Sequence, residues 1–466
     1  MNKASCLALA AALSLGGCMS LAPKYERPAA PVPASFPDDG THAAGPLASE
    51  LDWQRFFGDE RLKRLIGIAL ANNRDLRIAA LNIEQARALY DVRRADQWPT
   101  VGVGAGLTRQ PNTNRSVGGI TSLYTVGLAV TSYELDFFGR VRSLSDAALA
   151  QYLATEEARK TAQMSLVASV AGTYLGLLAD EELLAVTRQA LVTREESLKL
   201  TKLKFDHGAS SELDYRQAES LYEAAKIALA QQTRQRALDD NALALLLGQS
   251  VPADLPAGQP LTGQPLVADL PAGVPSEVLV RRPDVRAAEE QLIAANANIG
   301  AARAAFFPRI TLTGSVGTAS SELSGLFKAG STAWTFAPQA LLPIFDAGRN
   351  RGNLQVAKVG RDIAVAQYEK TIQTAFREVS DALAGRATFG EQLRAQQAQT
   401  RAEEVRYRLA DLRYRNGAAS YLDVLDAQRS LFAAQQALVQ TQALQAQNLV
   451  TLYKVLGGGW NPTPAQ

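Results

Sequence analysis

Cysteine and histidine are almost absent, with 2 of each among 466 residues. A zinc ribbon, an iron–sulfur site or a disulfide scaffold needs more of both, so all three are excluded. Charge of one sign is not in excess either: 48 Lys and Arg stand against 46 Asp and Glu. That balance points away from nucleic acid as a partner and away from an acidic solvating tail. After residue 18 no run of 18 apolar residues occurs, so no membrane-spanning helix is expected in the mature chain. Strands of a β-barrel carry a much weaker hydropathy signal and stay open as a reading. Catalytic motifs are missing as well. Gly102-x-Gly104-x-Gly106 alternates inside a strand pattern and leads into no helix, so it is no dinucleotide loop. No phosphate loop, His-Glu-x-x-His or nucleophile–base constellation is visible, and His42 and His207 stand alone, expected in solvent. No enzyme activity, metal site or soluble cofactor is therefore expected.

What is present begins with an address. Lys3 precedes an apolar stretch from Ala4 to Leu15, followed by Gly16-Gly17-Cys18. This has the length of a signal h-region and is too short to span a bilayer. Small residues before Cys fit lipoprotein processing, with residues 1–17 removed and an N-acyl diglyceride on Cys18. The other Cys, Cys6, lies in the removed part. Met19, in place of Asp, favours the outer membrane. Several acyl chains on one residue give stable anchoring, where a single chain is marginal.

Prolines mark the architecture. Six of 20 lie between Pro23 and Pro46 and six between Pro252 and Pro275, both read as extended connectors. Residues 112–251 and 344–461 hold none. These tracts are rich in Ala, Leu, Gln, Glu and Arg, with apolar residues at helical spacing, which is the composition of long helices. A shift of 209 places Asp75 on Asp284, Arg94 on Arg303, Pro99 on Pro308, Gly139 on Gly348, Gly208 on Gly417 and Asp214 on Asp423. The chain therefore reads as a duplication: an anchored extended segment 18–59, repeat 1 at 60–250, a linker or equatorial region 251–282, repeat 2 at 283–457, and a tail 458–466.

Each repeat carries a period-two hairpin, at 99–137 and 308–346, with apolar residues on one face and small or polar ones on the other. Pro338 and Pro343 make the fourth strand an edge or bulged strand. Strands of about 9–11 residues cross a bilayer when tilted. Four of them cannot close a barrel, and open edges in lipid would leave backbone groups unpaired. The hairpins belong either to a shared oligomeric barrel or to a soluble α+β protein. Helices are expected over 60–97, 143–205 and 212–247, then over 284–306, 352–413 and 421–456. The longest, of about 63 residues, would measure about 95 Å. A column that thin buries its apolar stripe only against neighbours.

The sequence resembles the TolC-type outer-membrane efflux lipoproteins, the exit ducts of tripartite drug pumps. The residues that carry the resemblance are Cys18 with Ala22-Pro23-Lys24-Tyr25-Glu26-Arg27-Pro28, then Tyr133-Glu134-Leu135-Asp136-Phe137-Phe138-Gly139-Arg140. Ala295–Pro308, Pro343-Ile344-Phe345-Asp346-Ala347-Gly348-Arg349 and Gly417–Gln428 complete the set. The resemblance covers essentially the whole mature chain. It implies an α+β membrane protein: a homotrimer with a twelve-stranded β-barrel in the outer membrane, continued by a periplasmic α-helical barrel. It also implies a periplasmic adaptor and an inner-membrane RND-type transporter as partners, and drugs or other toxic compounds as cargo.

A duct needs a closed end that opens. The turns at 206–211 and 415–420 are the expected periplasmic tips, with Gly208, Ala209, Ser210, Gly417, Ala418 and Ser420 as adaptor-contacting positions. The family's gate positions match Tyr414, Asp423 and Asp426, and duplication adds Asp214. Asp423 and Asp426 share a helical face, and rings of such acids would hinder anions and bind cations. Structural readings stand beside these. Ser420 with Asp423, and Ser211 with Asp214, have capping-box-like spacing, and Tyr414 pairs with Phe205 in a packing role. The best-known family member tethers its closed state with an Arg two residues past the tip Gly. Here that residue is Ala419, leaving Arg415 as a substitute. The competing reading of the whole chain is a lipid-anchored periplasmic coiled-coil scaffold with no pore.

Overall fold

The computed structural model describes residues 20–37, 47–111, 119–268, 270–273 and 275–460. Cys18 and His42 lie outside them. In chain order the helices are α1 (Trp53–Phe56), α2 (Glu60–Asn72), α3 (Arg74–Ala95), α4 (Arg140–Asp206), α5 (Glu212–Leu247), α6 (Pro275–Arg281), α7 (Pro283–Ala304), α8 (Arg349–Arg415) and α9 (Tyr421–Val455). The strands are β1 (Val101–Pro111), β2 (Ile120–Leu135), β3 (Arg309–Ser320) and β4 (Thr332–Leu341).

Two shorter helices depart from expectation. The stretch 60–97 is not one helix, because Asn73 is extended (φ −61°, ψ 132°). Its Oδ1 accepts from Leu76 N at 2.9 Å and its Nδ2 donates to Leu246 O at 2.9 Å. An Asn side chain that satisfies a fresh helix start competes with continuing the old helix. The second departure lies in the Pro-rich region, which is not wholly irregular: α6 starts on Pro275, where a missing N–H costs nothing. It stops at Arg281, since Pro283 disfavours a helical residue before it.

Contacts divide the chain into two compact units. The first takes Met1–Ala29, Asn82–Glu156 and Ala287–Glu369; the second takes Ala30–Leu81, Glu157–Arg286 and Lys370–Gln466.

The first unit holds the sheet, ordered β1-β2-β3-β4 and antiparallel throughout. A bulge interrupts β2 between Val130 and Tyr133, with Ser132 at φ 55°. Pro338 pairs with Leu312 inside β4. Within one protomer β4 is an edge strand, the place in a sheet where a proline is tolerated. The segment after residue 20 is laced onto α7. Leu21 O accepts from Arg303 at 3.0 Å and Pro23 O from Asn296 at 2.7 Å, while Tyr25 Oη donates to Glu289 at 2.9 Å. Arg27 grips the same carboxylate at 2.7 and 2.9 Å. Gly300 permits this approach, for a Cβ there would come within 2.8 Å of Ala22.

The second unit holds the main core, in which Phe56, Phe57, Leu62, Ile66, Val170, Leu175, Leu247 and Val379 are fully buried. Phe56 stacks on Tyr453 with centroids 4.0 Å apart. Asp59 caps α2 through Arg61 N at 2.8 Å, and its other oxygen accepts from Tyr174 Oη, Gln259 N and Gln264 Nε2. One buried carboxylate thus joins α2, α4 and the Pro-rich region. The helix α4 is long and apolar enough by composition to cross a membrane. Its apolar residues Leu166, Val167, Val170, Ala171 and Leu175 are nevertheless in this core, which accounts for them without lipid.

Candidate functional site

Two places are candidates: the sheet and the helical turns.

Strand register sorts the sheet into two unlike faces. Residues directly opposite one another share a face. Val103, Leu128, Val316 and Trp334 form one row, and Val101, Val130, Gly314 and Phe336 the next. On the opposite face lie Gly104, Gly127, Gly317 and Ala333, then Gly102, Ala129, Ser315 and Thr335. The large apolar residues are uncovered: Val103 is 80% exposed and Trp334 75%. A patch of this kind suits lipid and is a liability in water. The outer edges of β1 and β4 pair with no other strand among the described residues.

The second place lies in the second unit. Each long helix ends in a left-handed Gly, Gly208 at φ 71° and Gly417 at φ 72°. Ala209 N donates to Lys204 O at 2.7 Å and Ala418 N to Arg413 O at 2.8 Å. This closing pattern satisfies the last carbonyls of a helix and reverses the chain. Leu198, Tyr407, Ala410 and Tyr414 pack around Ala218, Leu221, Tyr421, Val424 and Leu425, joining the α4–α5 hairpin to the α8–α9 hairpin.

The four expected gate residues meet different surroundings. Asp214 completes a capping box with Ser211, whose Oγ accepts from Asp214 N at 3.1 Å. Partial burial pushes its pKa up, but hydrogen bonds from Ser211 and Ser210 outweigh this and hold it below the usual carboxylate value. Asp423 makes no such box, since Ser420 gives no side-chain cap. The Asp423 carboxylate is exposed and has no hydrogen-bond or ion-pair partner among the described residues. Asp426 is exposed but paired with Arg406, which also reaches Glu403 at 3.1 Å and Ser430 at 3.2 Å. Tyr414 is half-buried, tilted against Tyr421 at 5.2 Å, with Lys204 Nζ 4.0 Å from its ring centroid. Of the expected adaptor contacts, Gly208, Ala209, Gly417, Ala418 and Ser420 are exposed and Ser210 is half-buried.

Arg415, the expected substitute tether, is engaged on its own helix. It pairs with Asp411, one turn back on its own helix, at 2.8 Å. Arg406 takes the cross-hairpin contact instead, and sequence reasoning missed it. A signal existed: Arg406 and Asp426 each stand ten residues from Asn416, so an antiparallel hairpin about that turn brings them level.

The family model for outer membrane efflux proteins matches residues 65–249 and 274–458. The chain belongs to the outer membrane efflux protein family. It is 50% identical over 473 residues to the solvent efflux pump outer membrane protein SrpC of Pseudomonas putida, covering 98% of this chain and 99% of that one. A solved membrane protein from Pseudomonas aeruginosa superposes with a TM-score of 0.88 at 46% identity, over 95% of this chain and 98% of the other. The open state of the Neisseria gonorrhoeae MtrE outer membrane channel gives 0.86 at 45%, over 95% and 99%. The chain is thus an α+β outer-membrane channel that extends into the periplasm and serves as the exit duct of an efflux pump. The family is one of transport channels rather than enzymes, and its members work with pump partners.

Proposed function

We propose that this duct is a homotrimer, each protomer supplying four strands to a twelve-stranded barrel and two helical hairpins to a periplasmic tube. The carrying observation is a sheet with one bare apolar face and two unpaired edges. In lipid every backbone N–H and C=O must find a partner, so the edges close on other copies. The two family matches, the second starting 209 residues after the first, support a duplicated protomer. The extended segment running back along α7 fits a chain tethered at Cys18 by an N-acyl diglyceride in the outer membrane. No other cofactor and no catalytic residue enters this reading, and a pore-free coiled-coil scaffold leaves the sheet without a purpose.

In this reading the helical turns close the periplasmic end and meet a periplasmic adaptor through Gly208, Ala209, Ser210, Gly417, Ala418 and Ser420. An inner-membrane RND-type transporter selects the cargo. Solvents or drugs are the substrate class, as the names of the relatives suggest. Tyr414, Asp423 and Asp426 form the gate, and Asp214 shapes the neighbouring turn. Asp423 carries the gate's free charge, and threefold repetition would make it an anionic ring that attracts cations. The test is planar-bilayer recording of the trimer with Asp423→Ala and Asp426→Ala together. Higher conductance and weaker divalent-cation block are expected; unchanged conductance and block reject the gate.

A further inference from the structure

Arg194 lies on α4, 12 residues before the end of that helix. It is only 5% exposed, yet it has no carboxylate partner among the described residues. Its guanidinium donates to Leu221 O at 3.3 Å and sits 4.8 Å from the Phe432 ring centroid. Burial lowers its pKa, and the like charge of Arg429 lowers it further. A buried cation left without a counter-charge is strongly destabilising, whereas a paired one is tolerated. A carbonyl and a ring face offset part of that cost and satisfy few of five N–H donors.

Beside this guanidinium is a cavity of about 160 Å³, lined by Gln189 and Thr193 of α4 and by Tyr407, Gln428, Phe432 and Gln435 of α8 and α9. Gln428 donates to Ser197 Oγ at 3.0 Å and leaves its own Oε1 buried without a partner. The opposite amide orientation suits the Ser197 hydroxyl equally well and turns that unsatisfied acceptor into a donor. One unpaired guanidinium, side-chain amides and a hydroxyl around a small cleft make an anion site.

We propose that Arg194 and this cavity bind a small anion of carboxylate size, which bridges the α4–α5 hairpin to the α8–α9 hairpin and stabilises their packed arrangement. Such a ligand would act as a latch between the hairpins, independent of the acids at the turns. None of the proposed gate residues lines this cavity, so its test is read apart from theirs.

The test uses the full chain in detergent. Helical melting is followed during titration with sodium acetate, at constant ionic strength held by a bulky sulfonate salt. Melting temperature is expected to rise saturably with acetate and not with the sulfonate. Arg194→Gln raises the half-saturating acetate by about tenfold or more, and Arg194→Lys keeps the response. Ala190 also lines the cavity, and Ala190→Leu, which fills it while retaining Arg194, abolishes the response and covers the case in which Arg194→Gln fails to fold. A melting temperature that ignores acetate, or one that rises equally in Ala190→Leu, overturns the proposal.

Discussion

The two helical turns have the same backbone and opposite chemistry. Gly208 and Gly417 share a left-handed φ near 70°, and the same helix-closing hydrogen bond follows each. Yet Ser211 and Asp214 lock into a reciprocal cap, while Ser420 and Asp423, at identical spacing, do not. In the first turn the acid holds the helix start. In the second the acid is left in solvent, and the next acid along, Asp426, is bound to Arg406. Turn geometry is thus common to both hairpins, and the free carboxylate is confined to one.

Four experiments test that contrast. The largest effect is expected from Arg406→Ala, which strips Asp426 of its counter-charge. Divalent-cation block in bilayers should strengthen severalfold, whereas Arg415→Ala, which frees only Asp411, should leave it unchanged. Next come Gly208→Ala and Gly417→Ala. Each forces a side chain into the left-handed region, at about 1–2 kcal/mol measured by thermal or denaturant unfolding. The two costs should match, because the backbones do. Ser211→Ala then removes a working cap and should cost about 1 kcal/mol, while Ser420→Ala should fall near zero. Equal losses from both would erase the distinction between the turns.

The smallest effect is a pH dependence at the first turn. The Asp214 carboxyl titrates below its ordinary value. Its stabilisation is therefore fully present above the unfolded-state value, about pH 4, and is lost as pH falls through the lower folded value. Melting of the native chain should weaken over that acid range relative to Asp214→Asn.

Much of the fold was legible in the sequence because its signals are local. Alternation around Gly102–Gly106 and Ile310–Gly317 marks strands, and long Pro-free tracts mark helices whose observed ends lie within three residues of expectation. The helix break at Asn73 was missed because Asn does not forbid a helix; its side chain finds Leu246 O, which is remote in sequence. The site was legible as a set of positions and not as a set of states. Arg415 and Arg406 look alike on paper, yet Arg415 finds Asp411 one turn back on its own helix, and the register of α8 against α9 gives Arg406 to Asp426. Arg194 gave no signal at all, since an arginine in an Ala- and Glu-rich helix reads as solvated surface.

Residue order alone determined that this chain would place bulky apolar side chains on one side of each ribbon and small ones on the other. Strand periodicity is set by backbone geometry and needs no neighbour. Which charges are neutralised and which stay free was settled by packing in three dimensions. A carboxylate's partner depends on rotamers and on helices that meet from distant parts of the chain, and a repeated spacing cannot encode either.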